Sequence, residues 1–235
     1  MKLVVVGATG LVGTEVIRQA PPQPSCHLCC RVCSQTRPAA WPHKCCERLQ
    51  TFVSCSRRLD NPLSRVSQRA IKGSDACIWT LAVTPSKSKD MDFTEVTKIF
   101  SDYTLTGLKN MAALANQPFR FIYTSGITIE RDQTAELPIL AEYRLMRCRV
   151  ENSILEFAEQ HAPDVQATVT EPGAIDGPNR EASMNDIVKL LFDMYGYTRR
   201  VHVSEPAAAM IDQCLNGITK DPLPRDGLRR LGNGY

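Results

Sequence analysis

An α/β fold built on a doubly wound parallel sheet is predicted by three observations. Short apolar segments alternate with long stretches of helical periodicity from residue 71 onward. The first apolar segment, Lys2–Val6, runs straight into a glycine-spaced turn, "GATGLVG", at residues 7–13. Thr14–Ala20, directly after that turn, reads as a helix. Strands separated by helices that cross back over a sheet lie parallel, and a parallel sheet is covered on both faces.

Taken in order, Lys2–Val6 is apolar without alternation, as a strand buried on both faces is, and Gly10–Ala20 reads as the helix after it. Residues 21–70 then break the pattern, with six prolines and no periodicity. Order returns at Ile71. Ala76–Val83, "ACIWTLAV", is a strand bounded by Thr84-Pro85. Asp92–Ala115 carries Val96, Ile99, Phe100, Tyr103, Leu105, Leu108, Met111 and Leu114 at near-helical spacing. Phe119–Thr124 is the next strand and Glu142–His161 the next long helix. Val165–Thr170 is a strand ended by Glu171-Pro172-Gly173. Met184–Tyr195 and Glu205–Asn216 read as helices with a short strand, Val201–Val203, between them. The expectation is one domain over residues 1–235, its sheet of Rossmann type with the second and third strands degraded or poorly formed across residues 21–70.

Composition narrows the function classes. The chain has 235 residues, 43% of them hydrophobic, enough for one sizeable core. No apolar run approaches the ~18 residues of a membrane span. Leu3–Val6 is too short for a signal-peptide core and leads into glycines. A cytoplasmic protein with no membrane partner is expected. The net charge is +3, but residues 21–70 alone hold eight Arg or Lys against two acids, leaving −3 for the remainder. Basicity confined to one irregular stretch, with only Trp41 and Phe52 as aromatics, argues against a nucleic-acid surface.

The glycine turn has a physical reading. Gly7 lets the chain turn tightly, Gly10 lets backbone N–H groups approach a pyrophosphate, and Gly13 lets the helix pack close to the strand. A phosphate loop of the Gly-Lys-Ser/Thr kind is excluded, because no such triplet follows.

"VVVGATGLVG" resembles the opening of the atypical short-chain dehydrogenase/reductases, the NAD(P)H-binding group that includes NmrA-like proteins. "GSDACIWTLA" resembles that family's fourth strand, "FRFIYTSG" its fifth, ending in a serine, and "EPGAIDGP" its turn near the nicotinamide. The resemblance covers residues 1–20 and 71–235. It implies NADP or NAD as cofactor, held by Gly7, Thr9, Gly10, Leu11, Val12, Gly13, Thr80, Leu81, Pro172, Gly173 and Ile175. It also implies a catalytic group of Ser125, Tyr143 and a lysine four residues after the tyrosine. Here that position holds Arg147, a departure from the family pattern. An i, i+4 pair shares one helix face. Arginine donates to a ribose but is bulkier than lysine and lacks its compact ammonium. The competing reading of "EYRLMRCRVEN" is a solvated basic face, since Arg144, Arg147 and Arg149 cluster.

Seven of the ten cysteines (Cys26, Cys29, Cys30, Cys33, Cys45, Cys46, Cys55) fall within residues 21–70, and three readings compete for this stretch. A zinc site needs two separated ligand pairs, whereas these cysteines overlap in Cys-Cys dipeptides; no metal is expected. Leu28–Ser34 and Leu49–Cys55 are two divergent strands in the second reading, with Ser34, Gln35 or Arg37 at the adenosine ribose. The third, favoured reading is a frame slip or retained intron, which keeps the length of the interval while scrambling its composition. Cys77, Cys148 and Cys214 sit singly in apolar patterns, as buried small side chains do.

Two functions of different class follow. One is an NAD(P)-dependent oxidoreductase acting on a small carbonyl or alcohol substrate. The other is a non-catalytic NAD(P)-sensing protein that regulates a partner. Ser125 with Tyr143 favours the first, and Arg147 the second.

Overall fold

The structure is a computed structural model that describes residues 1–20, 50–54, 65–83, 88, 90–126, 131–134, 136–178 and 200–232. Strand β1 (Lys2–Val6) leads through the glycine turn into α1 (Leu11–Gln19). Strand β2 (Gln50–Ser54), α2 (Arg65–Ile71) and β3 (Ala76–Trp79) follow. A long helical stretch comes next: α3 (Phe93–Thr97), a π-helical turn at Lys98–Asp102, and α4 (Tyr103–Ala112). It starts at Asp92, whose carboxylate accepts from Thr94 N–H at 2.7 Å. Then come β4 (Phe119–Thr124), α5 (Ala141–Gln160), β5 (Val165–Glu171), β6 (Ile175–Asp176) and β7 (Val201–His202). Helix α6 (Ser204–Asn216), β8 (Leu223–Pro224) and α7 (Arg225–Gly232) end the described chain.

The main sheet has the order β2-β1-β3-β4-β5-β8, and every pair in it is parallel. The chain moves from β1 outward to β2, then returns to place β3 on the other side of β1. The order therefore reverses at the carboxyl ends of β1 and β3, where open α/β sheets bind ligands. Alternation along the strands builds two cores. Phe119, Phe121 and Tyr123 of β4 face α5 with Val165 and Val169 of β5, while Ile122 faces α1 and α6 with Leu3, Val5 and Ile78. This is the doubly wound α/β sheet expected from the sequence.

The boundaries differ in instructive ways. Strand β3 ends at Trp79, not Val83, because β1 stops at Val6 and Gly7 turns away at φ +84°. Thr80 N–H still reaches Val6 O at 2.9 Å, and the pairing of β3 with β1 ends there. Order returns before Ile71. Within residues 21–70, Gln50–Ser54 pairs with β1 over its whole length, from Lys2↔Gln50 to Val6↔Ser54, and α2 begins at Arg65. The expected strand at Leu49–Cys55 therefore exists and lies directly beside β1. Its Thr-Phe-Val centre is made of residue types common in strands. The expectations for Leu28–Ser34, for the ribose residues Ser34, Gln35 and Arg37, for the seven clustered cysteines and for a helix at Met184–Tyr195 lie outside the described residues. Cys77, Cys148 and Cys214 are buried thiols outside any disulfide, and burial pushes the Cys77 and Cys214 thiols up. No helix among the described residues is long and apolar enough to cross a membrane.

Candidate functional site

Three strand ends and one helix start meet at the crevice. Each glycine of the turn is required for a different reason. A β-carbon on Gly7 would lie 2.7 Å from both Thr80 Oγ1 and Leu81 N, and the positive φ there disfavours any side chain. One on Gly13 would collide with the carbonyl oxygen of Gly7 and sit 2.9 Å from Ala8 Cα. Gly10 is exposed, and a β-carbon there would meet only Gly7 O, at 3.2 Å. Gly7 and Gly13 are thus held by the protein itself, and Gly10 is the least crowded of the three among the described residues. Gly10 caps α1 in an extended conformation, without a side-chain hydrogen bond and without an acidic residue in the first helical turn. The uncapped N–H groups and the positive end of the helix dipole suit an anion.

The neighbouring residues converge on this turn. Thr80 Oγ1 donates to Val6 O at 2.8 Å, tying the end of β3 to the turn. Leu81 packs partly buried against the core under α5. Thr9 is exposed and Val12 half-buried. Leu11 reaches across to the loop after β6, its Cδ1 2.8 Å from where a Gly177 β-carbon would stand. Pro172, Gly173 at φ +74° and Ile175 form the turn that leaves β5 and enters β6.

Helix α5 supplies the polar side of the crevice. Ser125, directly after β4, is buried and donates to the Glu151 carboxylate through a very short contact. The guanidinium of Arg147 donates to Ser125 Oγ at 3.1 Å and to Thr124 O at 3.3 Å. It also lies 4.8 Å over the Phe100 ring, a cation–π contact. Tyr143, one turn earlier, meets Phe100 edge-on at 5.8 Å and donates its hydroxyl to Val83 O at 2.8 Å. The structure thus joins Ser125 to Arg147 and sets Tyr143 beside them on the shared Phe100. Arg144 and Arg147 are buried and only Arg149 is exposed, so the reading of a solvated basic face is corrected. Arg147 reaches Thr124 O at the end of β4, and Arg144 folds back to Ile139 O before α5.

Sequence reading missed the carboxylates. Glu151 is wholly buried, and besides accepting from Ser125 it pairs with Arg131 at 3.4 Å. Arg131 also pairs with Asp221 at 2.8 Å. Burial pushes the Glu151 carboxyl up, against the pull of Ser125, Arg147 and Arg131. Glu171, at the end of β5, is raised to about 7 by burial and by the nearby Glu151 and Asp221, against Arg131. Burial raises the Tyr123 phenol to about 12, so it stays neutral. A signal for Glu151 was present: Tyr143, Arg147 and Glu151 stand at i, i+4 and i+8, one stripe along α5.

Phe100 is fully buried beneath both Tyr143 and Arg147. Phe100→Ala is expected to cost about 3–5 kcal/mol of stability, measured by urea denaturation, and to loosen both side chains.

No family model matches the chain, and no curated protein matches it. Solved structures do. A short-chain dehydrogenase/reductase (glucose/ribitol dehydrogenase) from Brucella melitensis aligns at a TM-score of 0.61 and 15% identity, over 97% of this chain and 96% of its own. A small-chain dehydrogenase in complex with NADPH aligns at 0.59 and 15%, over 97% and 98%. RMD from Pseudomonas aeruginosa, complexed with NADPH, aligns at 0.57 and 16%, over 95% and 78%. The chain has the Rossmann-type fold of the short-chain dehydrogenase/reductases.

Proposed function

We propose that the chain binds NAD(P)(H) across the crevice at the ends of β1 and β3 and is an oxidoreductase of the short-chain type, acting on a small carbonyl or alcohol. The observation that carries this is the uncapped start of α1, with Gly10 leaving room where a pyrophosphate docks. Structures of the same fold are complexed with NADPH. We place the chain among the atypical, NmrA-like members on the strength of its glycine turn and the stretches "GSDACIWTLA", "FRFIYTSG" and "EPGAIDGP". When bound, the cofactor supplies or accepts a hydride at the substrate carbon. The chain's residues then have separate tasks. The α1 N-terminus holds phosphate, Arg147 fixes a positive charge beside Ser125, Ser125 is the hydroxyl that serves the substrate oxygen, and Tyr143 stands beside it with its own hydroxyl held by Val83 O.

Cofactor binding without hydride transfer is the second reading, and one observation favours it. Both hydroxyls donate inward, Ser125 to Glu151 and Tyr143 to Val83 O. Titration with NADPH and NADH, followed by a search for hydride exchange into bound cofactor with a panel of carbonyls, separates the two. Binding with exchange supports the enzyme; binding with none, even in Arg147→Lys, supports the sensor.

The cofactor form is open to a further test. In this fold the end of the strand beside β1 meets the adenosine ribose, and here that strand ends at Ser54. The next residues in the sequence, Cys55-Ser56-Arg57-Arg58, lie outside the described residues, but their two guanidinium groups have the chemistry a 2′-phosphate takes. NADPH is expected to bind more tightly than NADH, and the double substitution Arg57→Ala, Arg58→Ala to weaken NADPH about tenfold or more with NADH unchanged. Equal loss for both cofactors would place the discrimination elsewhere.

A further inference from the structure

We propose that Ser125, Glu151 and Glu171 form a proton relay, in which Glu151 stores the proton that Ser125 delivers and Glu171 exchanges it with water. This rests on the oxidoreductase reading and assigns roles to two carboxylates outside the family pattern. The need for such a relay follows from Arg147. A guanidinium stays protonated throughout the accessible pH range, so it fixes charge but neither gives up nor takes a proton. Tyr143 has its hydroxyl committed to Val83 O. Ser125 is the hydroxyl bonded directly to an ionisable group, Glu151.

Geometry brings in the second carboxylate. Residues of β4 and β5 that face α5 alternate, as Phe119, Phe121 and Tyr123 alongside Val165, Ala167 and Val169. The next positions on that face are Ser125 and Glu171. They are neighbours, since Thr124 pairs with Thr170 and Ser125 N–H donates to Thr170 O at 2.8 Å. The apolar face thus ends in a hydroxyl and a carboxyl, both turned toward the stripe of α5 that carries Arg147 and Glu151. Glu151 has no exposure of its own, whereas Glu171 is half-buried and reaches water. Among the described residues, the other charged or titratable groups facing the pair are Arg147 and Tyr143 from α5, Arg131 from residues 131–134, Asp221 before β8 and Tyr123 from β4. Burial and mutual repulsion favour one proton held on the two glutamates near neutral pH.

The step balances as proton transfer alone. In carbonyl reduction the substrate oxygen that becomes negative takes the proton of Ser125 Oγ. The Glu151 carboxyl reprotonates Ser125 and becomes a carboxylate, and Glu171 passes it the next proton from water. Oxidation of an alcohol runs the same transfers in reverse, and no electrons pass through these residues. Glu151 is therefore a positioning and proton-storing residue that acts through Ser125.

The test has a spectroscopic arm and a kinetic arm, with Glu151→Gln and Glu171→Gln, both close in shape to the native residues, checked for folding by circular dichroism. Infrared difference spectra of the cofactor-free protein, recorded against pH, should show a protonated-carboxyl band lost near pH 7. That band should vanish or shift its midpoint by a unit or more in either variant. With NADPH and a reducible carbonyl, the wild-type rate should fall as pH rises through the same midpoint. Glu171→Gln should flatten that limb, and Glu151→Gln should lower kcat about 100-fold with NADPH affinity unchanged. A band absent from the wild type, or unchanged in both variants, overturns the relay. So does unaltered turnover and pH dependence in Glu151→Gln, which leaves hydride transfer standing. NADPH binding without turnover at any pH, in wild type and in Arg147→Lys, overturns the oxidoreductase reading and with it the relay's catalytic use.

Discussion

Gly10→Val is expected to give a folded protein that no longer binds NAD(P)H, and Gly13→Val a protein that does not fold. The two glycines lie three residues apart in one turn, yet their surroundings are opposite. At Gly10 the first carbon of an added side chain would meet only Gly7 O among the described residues, at 3.2 Å, a tight contact but not an overlap. The backbone angles there, φ −76° and ψ 165°, suit any residue, so stability should change little. The isopropyl group would stand where the pyrophosphate approaches the helix N–H groups, and affinity should drop more than about 100-fold. At Gly13 the first carbon already overlaps the backbone of Gly7 and Ala8. Backbone yields less than a side chain, so the cost should exceed the ~3 kcal/mol typical of overpacked cores. Urea denaturation and NADPH fluorescence, measured on both variants, check the pair. Equal binding by wild type and a folded Gly10→Val would remove the pyrophosphate from this turn.

Arg147→Met is expected to destabilise the protein by about 3–5 kcal/mol above the pH at which Glu151 loses its proton, because it strips a cation from around a wholly buried carboxylate. Arg131 remains, at 3.4 Å from Glu151, and keeps the loss toward the lower end. The penalty should depend on pH in a defined direction. Glu151 already titrates above the usual carboxylate range, and losing Arg147 raises it further. Below its folded pKa the carboxyl is neutral and leaves no unpaired charge, so the difference between variant and wild type should shrink as pH falls through that value. Arg147→Lys keeps the charge and should cost much less, while giving up the forked contact to both Thr124 O and Ser125 Oγ. Denaturation curves at several pH values read the trend. A pH-independent loss would mean that Arg147 acts through packing on Phe100, not through charge.

The sequence made legible whatever is specified locally. Phe119–Thr124 carries its own strand pattern, and α5 shows its periodicity over five turns, so both were found nearly to the residue. The glycine turn was legible because its three glycines answer to backbone geometry. What escaped depends on partners distant in the chain. Leu223–Pro224 is a strand only because the end of β5 lies beside it, and Ile175–Asp176 only because Val201–His202 does. Two residues carry no periodicity. Glu151 escaped for a related reason: a glutamate on a long helix is ordinarily solvated, and its burial arises from Ser125 and Arg131 arriving from other elements. Glu171 read as the end of a strand, and its company of carboxylates appears only once β4, β5 and the stretch before β8 are brought together.

The π turn at Lys98–Asp102 gives the chain one residue more than an α-helix needs over the same rise. Removing that residue would let α3 and α4 run on as a single regular helix, with all backbone hydrogen bonds intact. It would also swing everything on one side of the deletion by roughly 100° about the helix axis, and Phe100 would no longer stand beneath both Tyr143 and Arg147. The site can therefore be retuned by chain length alone. A relative shorter by one residue here would keep every charged group of the crevice yet seat its arginine and tyrosine on a different floor.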